Sequence, residues 1–229
     1  MSLFYAKLGE GIYITKQFYI RIINLIWGLF VFSFGIVVII NARIGYAPWD
    51  VFHVGLADTT GLSIGNTSII VGIFVIILVV LLGEKIGIGT VFNGIFVGLF
   101  LDLILGLKII PIADNIVLGI FMVFIGLFIL SLGTFFYMKT ALGAGPRDSL
   151  MVGLTRKTGL PIGVCRGIIE ISVVLMGWKL GGMVGIGTVL AAFAIGFCVQ
   201  ITFKLLKFDA TKVKHESINH TCKMLFRKL

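Results

Sequence analysis

Gly45-Tyr46-Ala47-Pro48-Trp49-Asp50 returns 98 positions later as Gly143-Ala144-Gly145-Pro146-Arg147-Asp148, and this recurrence decides how the chain is read. Between residues 44–56 and 142–154, six of thirteen positions are identical. The same offset aligns Thr60-Gly61-Leu62 with Thr158-Gly159-Leu160, and Gly87-Ile88-Gly89-Thr90-Val91 with an unchanged Gly185-Ile186-Gly187-Thr188-Val189. Gly28, Ser33 and Gly35 meet Gly126, Ser131 and Gly133. No gap is needed, so the pattern is an internal duplication and not shared apolar composition.

The 229 residues are 59% hydrophobic and 13% charged, with a mean hydropathy of +1.13. A soluble domain carries about a quarter charged residues. Crossing the hydrocarbon needs about 20 apolar residues, and such runs occur at about 20–41, 66–82, 88–107, 116–138, 162–180 and 186–206. Each must be helical, because lipid offers no partner to an unpaired backbone group. The fold class expected is all-α: a polytopic membrane protein with six transmembrane helices and two further short helices.

The formal charge of +9 would suggest nucleic acid in a soluble protein. Its distribution points elsewhere. With the N-terminus inside and six crossings, all of the 19 Lys and Arg except Arg43, Lys108 and Lys179 fall on the inner side, as positive-inside sorting produces. Both termini are then cytoplasmic and no nucleic-acid partner is expected. No cleavable signal peptide is recognisable. Cys165, Cys198 and Cys222 are too scattered for a disulfide framework or a metal site. A cytoplasmic segment 1–17, a membrane domain 18–208 and a basic tail 209–229 follow. The tail attracts anionic lipid.

Within the membrane domain, repeats at 18–110 and 116–208 each read as a long helix, a short helix, a turn and two further helices. The short helix from Pro48 to Asp58 reaches only about 16 Å at 1.5 Å per residue, half a bilayer. It is therefore re-entrant or interfacial. Three crossings per repeat is an odd number, so the second repeat enters the membrane in the opposite sense, an inverted-topology duplication. Pro48 and Pro146 suit the first helical position. Gly61 and Gly159 suit left-handed C-termini. Trp49 and Arg147 are expected near opposite interfaces.

Candidate binding or coupling residues are the polar groups at membrane depth. Asp50 and Asp148 fall in the first turn of the short helices, where a carboxylate either caps its own helix or faces a central cavity; the two readings are compatible. His53 shares a face with Asp50, but its repeat mate is Met151. Glu170 sits mid-way along an apolar span, where an ionisable group costs at least about 2.5–3.5 kcal/mol, and Arg166 one turn earlier can neutralise it. Their mates are Gly72 and Ser68, so this pair breaks the symmetry. Asp102 pairs with Gln200 across the repeat; both suit interhelical hydrogen bonds or a pathway. Arg147 adds a cation at the inner short helix. Gly28/Gly35 and Gly126/Gly133 repeat every seven residues, suited to close helix approach, and Thr90 and Thr188 to helix caps.

These residues resemble the bacterial YczE/YyaS/YitT membrane protein family. The resemblance rests on Pro48-Trp49-Asp50, His53, Gly55-Leu56 and Thr60–Gly65, then on Gly143–Met151, Arg166 with Glu170, Gly177-Trp178 and Gly185–Thr188. The YczE-like branch fits, because YitT-type members add a soluble C-terminal domain. Where the family often has Gly-Pro near the end of span six, this chain has Gly196-Phe197. The resemblance implies a bacterial cytoplasmic membrane and supplies no activity.

Function is then expected from the site. Paired broken elements, an inverted repeat and Asp50, Asp102, Asp148 and Glu170 at membrane depth suggest a small secondary transporter, with a cationic, amine-bearing or proton-coupled solute favoured. A passive channel and an accessory protein of a membrane enzyme or export system are the alternatives. No nucleophile–base pair, nucleotide loop or metal cluster is present, so neither an enzyme nor a cofactor is expected. A homo-oligomer is left open.

Overall fold

The computed structural model describes residues 2–219 and 221, with side chains from 17 onward. Eight α-helices follow in order: α1 (Ser2–Asn41), α2 (Pro48–Thr60), α3 (Ile64–Leu81), α4 (Ile88–Leu107), α5 (Ile116–Met138), α6 (Pro146–Thr158), α7 (Ile162–Lys179) and α8 (Ile186–Leu205). Five helical stretches are long and apolar enough to cross a membrane, or six when α6 and α7, bent by 120°, count as one span. Alone, α7 falls short because it carries Arg166, Glu170 and Lys179. Large side chains such as Phe193 (76% exposed) and Phe121 (63%) face outward, a surface suited to lipid and not to water. The chain is an all-α polytopic membrane protein.

The helix series repeats its own dimensions. α2 and α6 have 13 residues each, α3 and α7 have 18, and α4 and α8 have 20. Pro48 and Pro146 stand at the start of their helices, and Gly61 and Gly159 close them with φ of 72° each. Neither glycine can be replaced by an ordinary residue without left-handed strain. Thr90 Oγ accepts from Gly87 N–H at 3.2 Å and Thr188 Oγ from Gly185 N–H at 3.2 Å, so both threonines secure the starts of α4 and α8. α8 is continuous through Gly196-Phe197.

One end of the bundle carries the connections 108–115 and 180–185; the opposite end carries 82–87 and 139–145. Asn41 Nδ2 donates to Ile110 O (2.9 Å) at the first end, and Arg21 Nε to Thr140 O (2.7 Å) at the second. α1 packs along α5 at the centre, and the glycine heptads allow it. A Cβ on Gly35 would lie 2.6 Å from Leu130 N, and one on Gly28 2.6 Å from Tyr137 N. Leu25, Leu29, Ile36, Ile39 and Leu127 fill this seam.

At the N-terminus, residues 2–16 are helical and continuous with the apolar stretch of α1, which begins at Gln17. The described part of the tail packs on the membrane domain. It crosses back over the 139–145 end, where Glu216 N–H donates to Ala141 O (2.8 Å), Glu216 pairs with Arg21 (2.8 Å) and Ile218 N–H donates to Ile86 O (3.0 Å). Loop carbonyls left open at that end find donors in the tail. Cys165 and Cys198 are buried free thiols; Cys222 lies outside the described residues.

Candidate functional site

The short helices position the site by their starts. Arg147 Cζ lies 4.8 Å from the ring centroid of Trp49, so the N-termini of α2 and α6 meet inside the bundle. From there the helices diverge. α2 runs towards the 180–185 connection, where Thr59 Oγ donates to Leu180 O (3.1 Å). α6 runs towards the opposite end, where Arg156 pairs with Glu84. Trp49 and Arg147 therefore do not sit at opposite interfaces as their residue types suggest. Trp49 is 8% exposed and Arg147 covers its face; a cation on an indole face is stabilised by the ring quadrupole, which outweighs the ordinary interfacial preference.

Around this meeting point lies a cavity of about 430 Å³. It is bordered by the starts of α2 and α6 and by α3, α4, α5, α7 and α8. Asp50 and His53, one turn apart on α2, reach it from a nearly closed position, at 2% and 1% exposure. Asp50 Oδ1 and His53 Nδ1 stand 3.6 Å apart, beyond hydrogen-bond reach. Neither atom has a hydrogen-bond partner, and nor does Trp49 Nε1. Unpartnered polar atoms in a buried site are destabilising by roughly 1–3 kcal/mol each, so three together at one cavity wall call for a ligand or water. The N-cap positions of α2 and α6 are Ala47 and Gly145, so neither helix has a side-chain cap at its start. Asp148 accepts from the Tyr137 hydroxyl at 3.3 Å.

The opposite wall belongs to α7. Arg166 Nε donates to Glu170 Oε1 at 2.7 Å, the i,i+4 pair expected from sequence. Gln200 of α8 also borders the cavity. Asp102 does not. It is held at the start of α3, accepting from Ser63 Oγ (2.6 Å) and Gly65 N–H (2.8 Å). Of the two readings of Asp102, interhelical hydrogen bonding is the one the geometry realises, because α3 starts with free N–H groups beside it. Beyond the cavity, His215 in the tail has its pKa lowered by burial and, to a lesser degree, raised by the Asp148 carboxylate.

Pro48 and Pro146 border the cavity; Gly61 and Gly159 lie at the far ends of the short helices. Trp49 and Tyr137 also line the cavity, although their residue types do not mark them as site residues. For Trp49 the sequence holds a signal: at the 98-residue offset its counterpart is Arg147, the residue that covers its ring.

The α3–α4 and α7–α8 pairs pack differently. α3 packs on α4 along Gly65, Gly72, Gly94 and Gly98, with a Cβ on Gly72 falling 3.2 Å from Gly94 Cα. The corresponding α7 and α8 stand apart. Gly163 and Gly196, mates of Gly65 and Gly98, would meet no atom within 4 Å. Where α3 offers Ser68 and Gly72, α7 carries Arg166 and Glu170, which border the cavity together with Gly196, Val199 and Gln200 of α8.

A family model described as "Family of unknown function (DUF6198)" matches residues 19–204. An uncharacterised protein of Haemophilus influenzae is 36% identical over 80% of this chain and 83% of its own length. The uncharacterised membrane protein YczE of Bacillus subtilis is 32% identical over 76% of this chain and 81% of its own. The uncharacterised protein YyaS of the same organism is 26% identical over 79% and 90%. No solved structure matches. With nearly the whole membrane part covered by one family model and by YczE, the chain belongs to the DUF6198 family of YczE-like membrane proteins.

Proposed function

We propose that this protein is a small secondary transporter in which two repeats of inverted topology expose one central cavity alternately to the two sides of a bacterial cytoplasmic membrane. The observation that carries the reading is the unequal closure of equivalent helix pairs. α3 and α4 are in glycine contact while α7 and α8 leave their matching glycines open. Equivalent halves in unequivalent states are what a rocking carrier requires, because exchanging the two states moves the opening from one side to the other. The divergence of α2 and α6 from a shared centre supports inversion. With both termini cytoplasmic, the α7–α8 gap opens inward.

The solute binds between the half-helix starts, with Asp50, His53, Arg147, Asp148 and the Arg166–Glu170 pair around it. Glu170 and Arg166 occupy the position where α7 would have to approach α8, so a solute that rearranges this pair also governs closure. Asp102 serves the α3 terminus and Glu170 is paired with Arg166, so the acidic bias expected from the sequence shrinks to Asp50 and Asp148, set against Arg147.

The test is an untargeted comparison of metabolites in cells with and without the protein, followed by flux of the enriched solutes into liposomes. A carrier gives saturable flux that follows an imposed solute or proton gradient and that Glu170→Gln lowers about tenfold or more. Non-saturable flux, independent of any proton gradient, identifies a channel. No flux together with a tightly co-purifying protein identifies an accessory role. Either outcome overturns the transporter reading.

A further inference from the structure

We infer that the cavity takes an amphoteric solute, one carrying an ammonium group and a carboxylate on a short carbon skeleton, and that Arg147 is the carboxylate-binding residue. The inference rests on the transport reading only in taking this cavity as the solute site.

A purely cationic solute suits the cavity poorly once the charges are placed. Glu170 is neutralised by Arg166 at 2.7 Å. What remains is two carboxylates, Asp50 and Asp148, against the Arg147 guanidinium. Two helix N-termini also point into the same space, each equivalent to roughly half a positive charge. The cavity is therefore close to electroneutral, with its charges separated. A single extra charge of either sign would meet as much repulsion as attraction. A dipolar solute meets complementary charge at both ends.

Arg147 has the geometry for the anionic end. Its Cζ lies over the Trp49 ring, 4.8 Å from the centroid, and the ring face takes up none of the directional N–H donors that an edge-on carboxylate would need. Among the described residues no ion pair or hydrogen bond engages the Arg147 guanidinium. A fork of parallel N–H donors fits a carboxylate in bidentate fashion, and the start of α6 adds further N–H groups. For the cationic end, Asp50 Oδ1 and His53 Nδ1 offer acceptors that nothing in the chain satisfies, at 2% and 1% exposure. Their 3.6 Å separation is too long for a direct bond and leaves an ammonium N–H room to bridge them. The two ends are adjacent because Asp50 directly follows Trp49, the residue beneath Arg147. A cavity of about 430 Å³ holds a solute of this size with its skeleton against Val71, Val75 and Val97.

The experiment uses the purified full-length chain in detergent and reads the thermal-denaturation midpoint against five probes: α-, β- and γ-aminobutyrate, propylamine and butyrate. At least one aminobutyrate is expected to stabilise the protein with an apparent affinity about tenfold or more above both singly charged probes, equivalent to about 1.4 kcal/mol or more. Arg147→Lys, which keeps the charge and loses the fork, is expected to weaken that aminobutyrate by about tenfold while leaving propylamine unchanged. The midpoint of the ligand-free variant reports whether it folds. The inference is overturned if propylamine or butyrate binds as tightly as the best aminobutyrate, if none of the five stabilises the protein, or if folded Arg147→Lys binds like the parent. Binding without flux in liposomes would sink the transport reading and leave this one standing; proton-driven flux of propylamine alone would do the reverse.

Discussion

Arg147 lies over the indole of Trp49 with its Cζ 4.8 Å from the ring centroid, and this one contact joins the start of α6 to the start of α2. Because the two residues are repeat mates, the contact sits where the halves of the molecule meet. Cation–π pairs contribute about 0.5–2 kcal/mol depending on desolvation. Trp49→Ala is expected to lower the thermal-denaturation midpoint and Trp49→Phe to lower it less. In a double-mutant cycle, Arg147→Ala should have a smaller effect in the Trp49→Ala background than alone.

Gly35→Ala and Gly196→Ala separate closed from open helix contacts. A methyl at 35 would meet Leu130 N at 2.6 Å and Gly126 O at 2.7 Å, whereas one at 196 meets nothing within 4 Å. Overpacking costs about 1–3 kcal/mol, while an unobstructed helical Gly→Ala gains about 0.5–1 kcal/mol. Gly35→Ala is expected to reduce the denaturation midpoint in detergent and Gly196→Ala to leave it level or raise it. Equal effects would contradict the packing described.

Glu170→Gln and Arg166→Gln each leave a partner charge unmatched in the bundle. A charge at a helix centre costs at least about 2.5–3.5 kcal/mol on insertion scales, so each single variant should express and survive heating less well than the parent. The double variant is expected to recover stability without recovering flux. Recovery of both would make the pair structural only.

Asp102→Asn tests the converse. Asp102 accepts from Ser63 Oγ and Gly65 N–H and lies outside the cavity. Hydrogen bonds to a charged group contribute about 1.5–3 kcal/mol, part of which the amide oxygen retains. The variant should therefore melt lower yet bind the aminobutyrate probe with unchanged affinity.

Much of this architecture is legible in the chain before any coordinates. The duplication, the helix-starting prolines and the left-handed Gly61 and Gly159 follow from local backbone chemistry that tertiary context does not override. Glu170 with Arg166 is legible for a similar reason: an ionisable pair in apolar sequence has few places to go. The sense of the short helices is not legible. An eleven-residue amphipathic stretch reads the same whether it starts at an interface or at the centre, and the interfacial habit of Trp pointed the wrong way for Trp49. Asp102 was undecided because the donors that hold it, Ser63 and Gly65, lie 39 and 37 positions earlier in the chain. The tail's return over the 139–145 end depends on backbone bonds from Glu216 and Ile218, which side-chain patterning does not encode.

The central claim is that the two halves exchange states, and spin labels on lipid-facing residues read this directly. Asn66 with Leu99 reports on α3–α4, and their exposed repeat mates Val164 with Phe197 report on α7–α8. Pulsed dipolar distances in liposomes, with Cys165, Cys198 and Cys222 replaced, should show two populations for each pair. The shorter Val164–Phe197 distance should grow as the shorter Asn66–Leu99 distance shrinks when solute is added. One fixed distance for each pair, unchanged by any solute the cavity binds, would contradict the account.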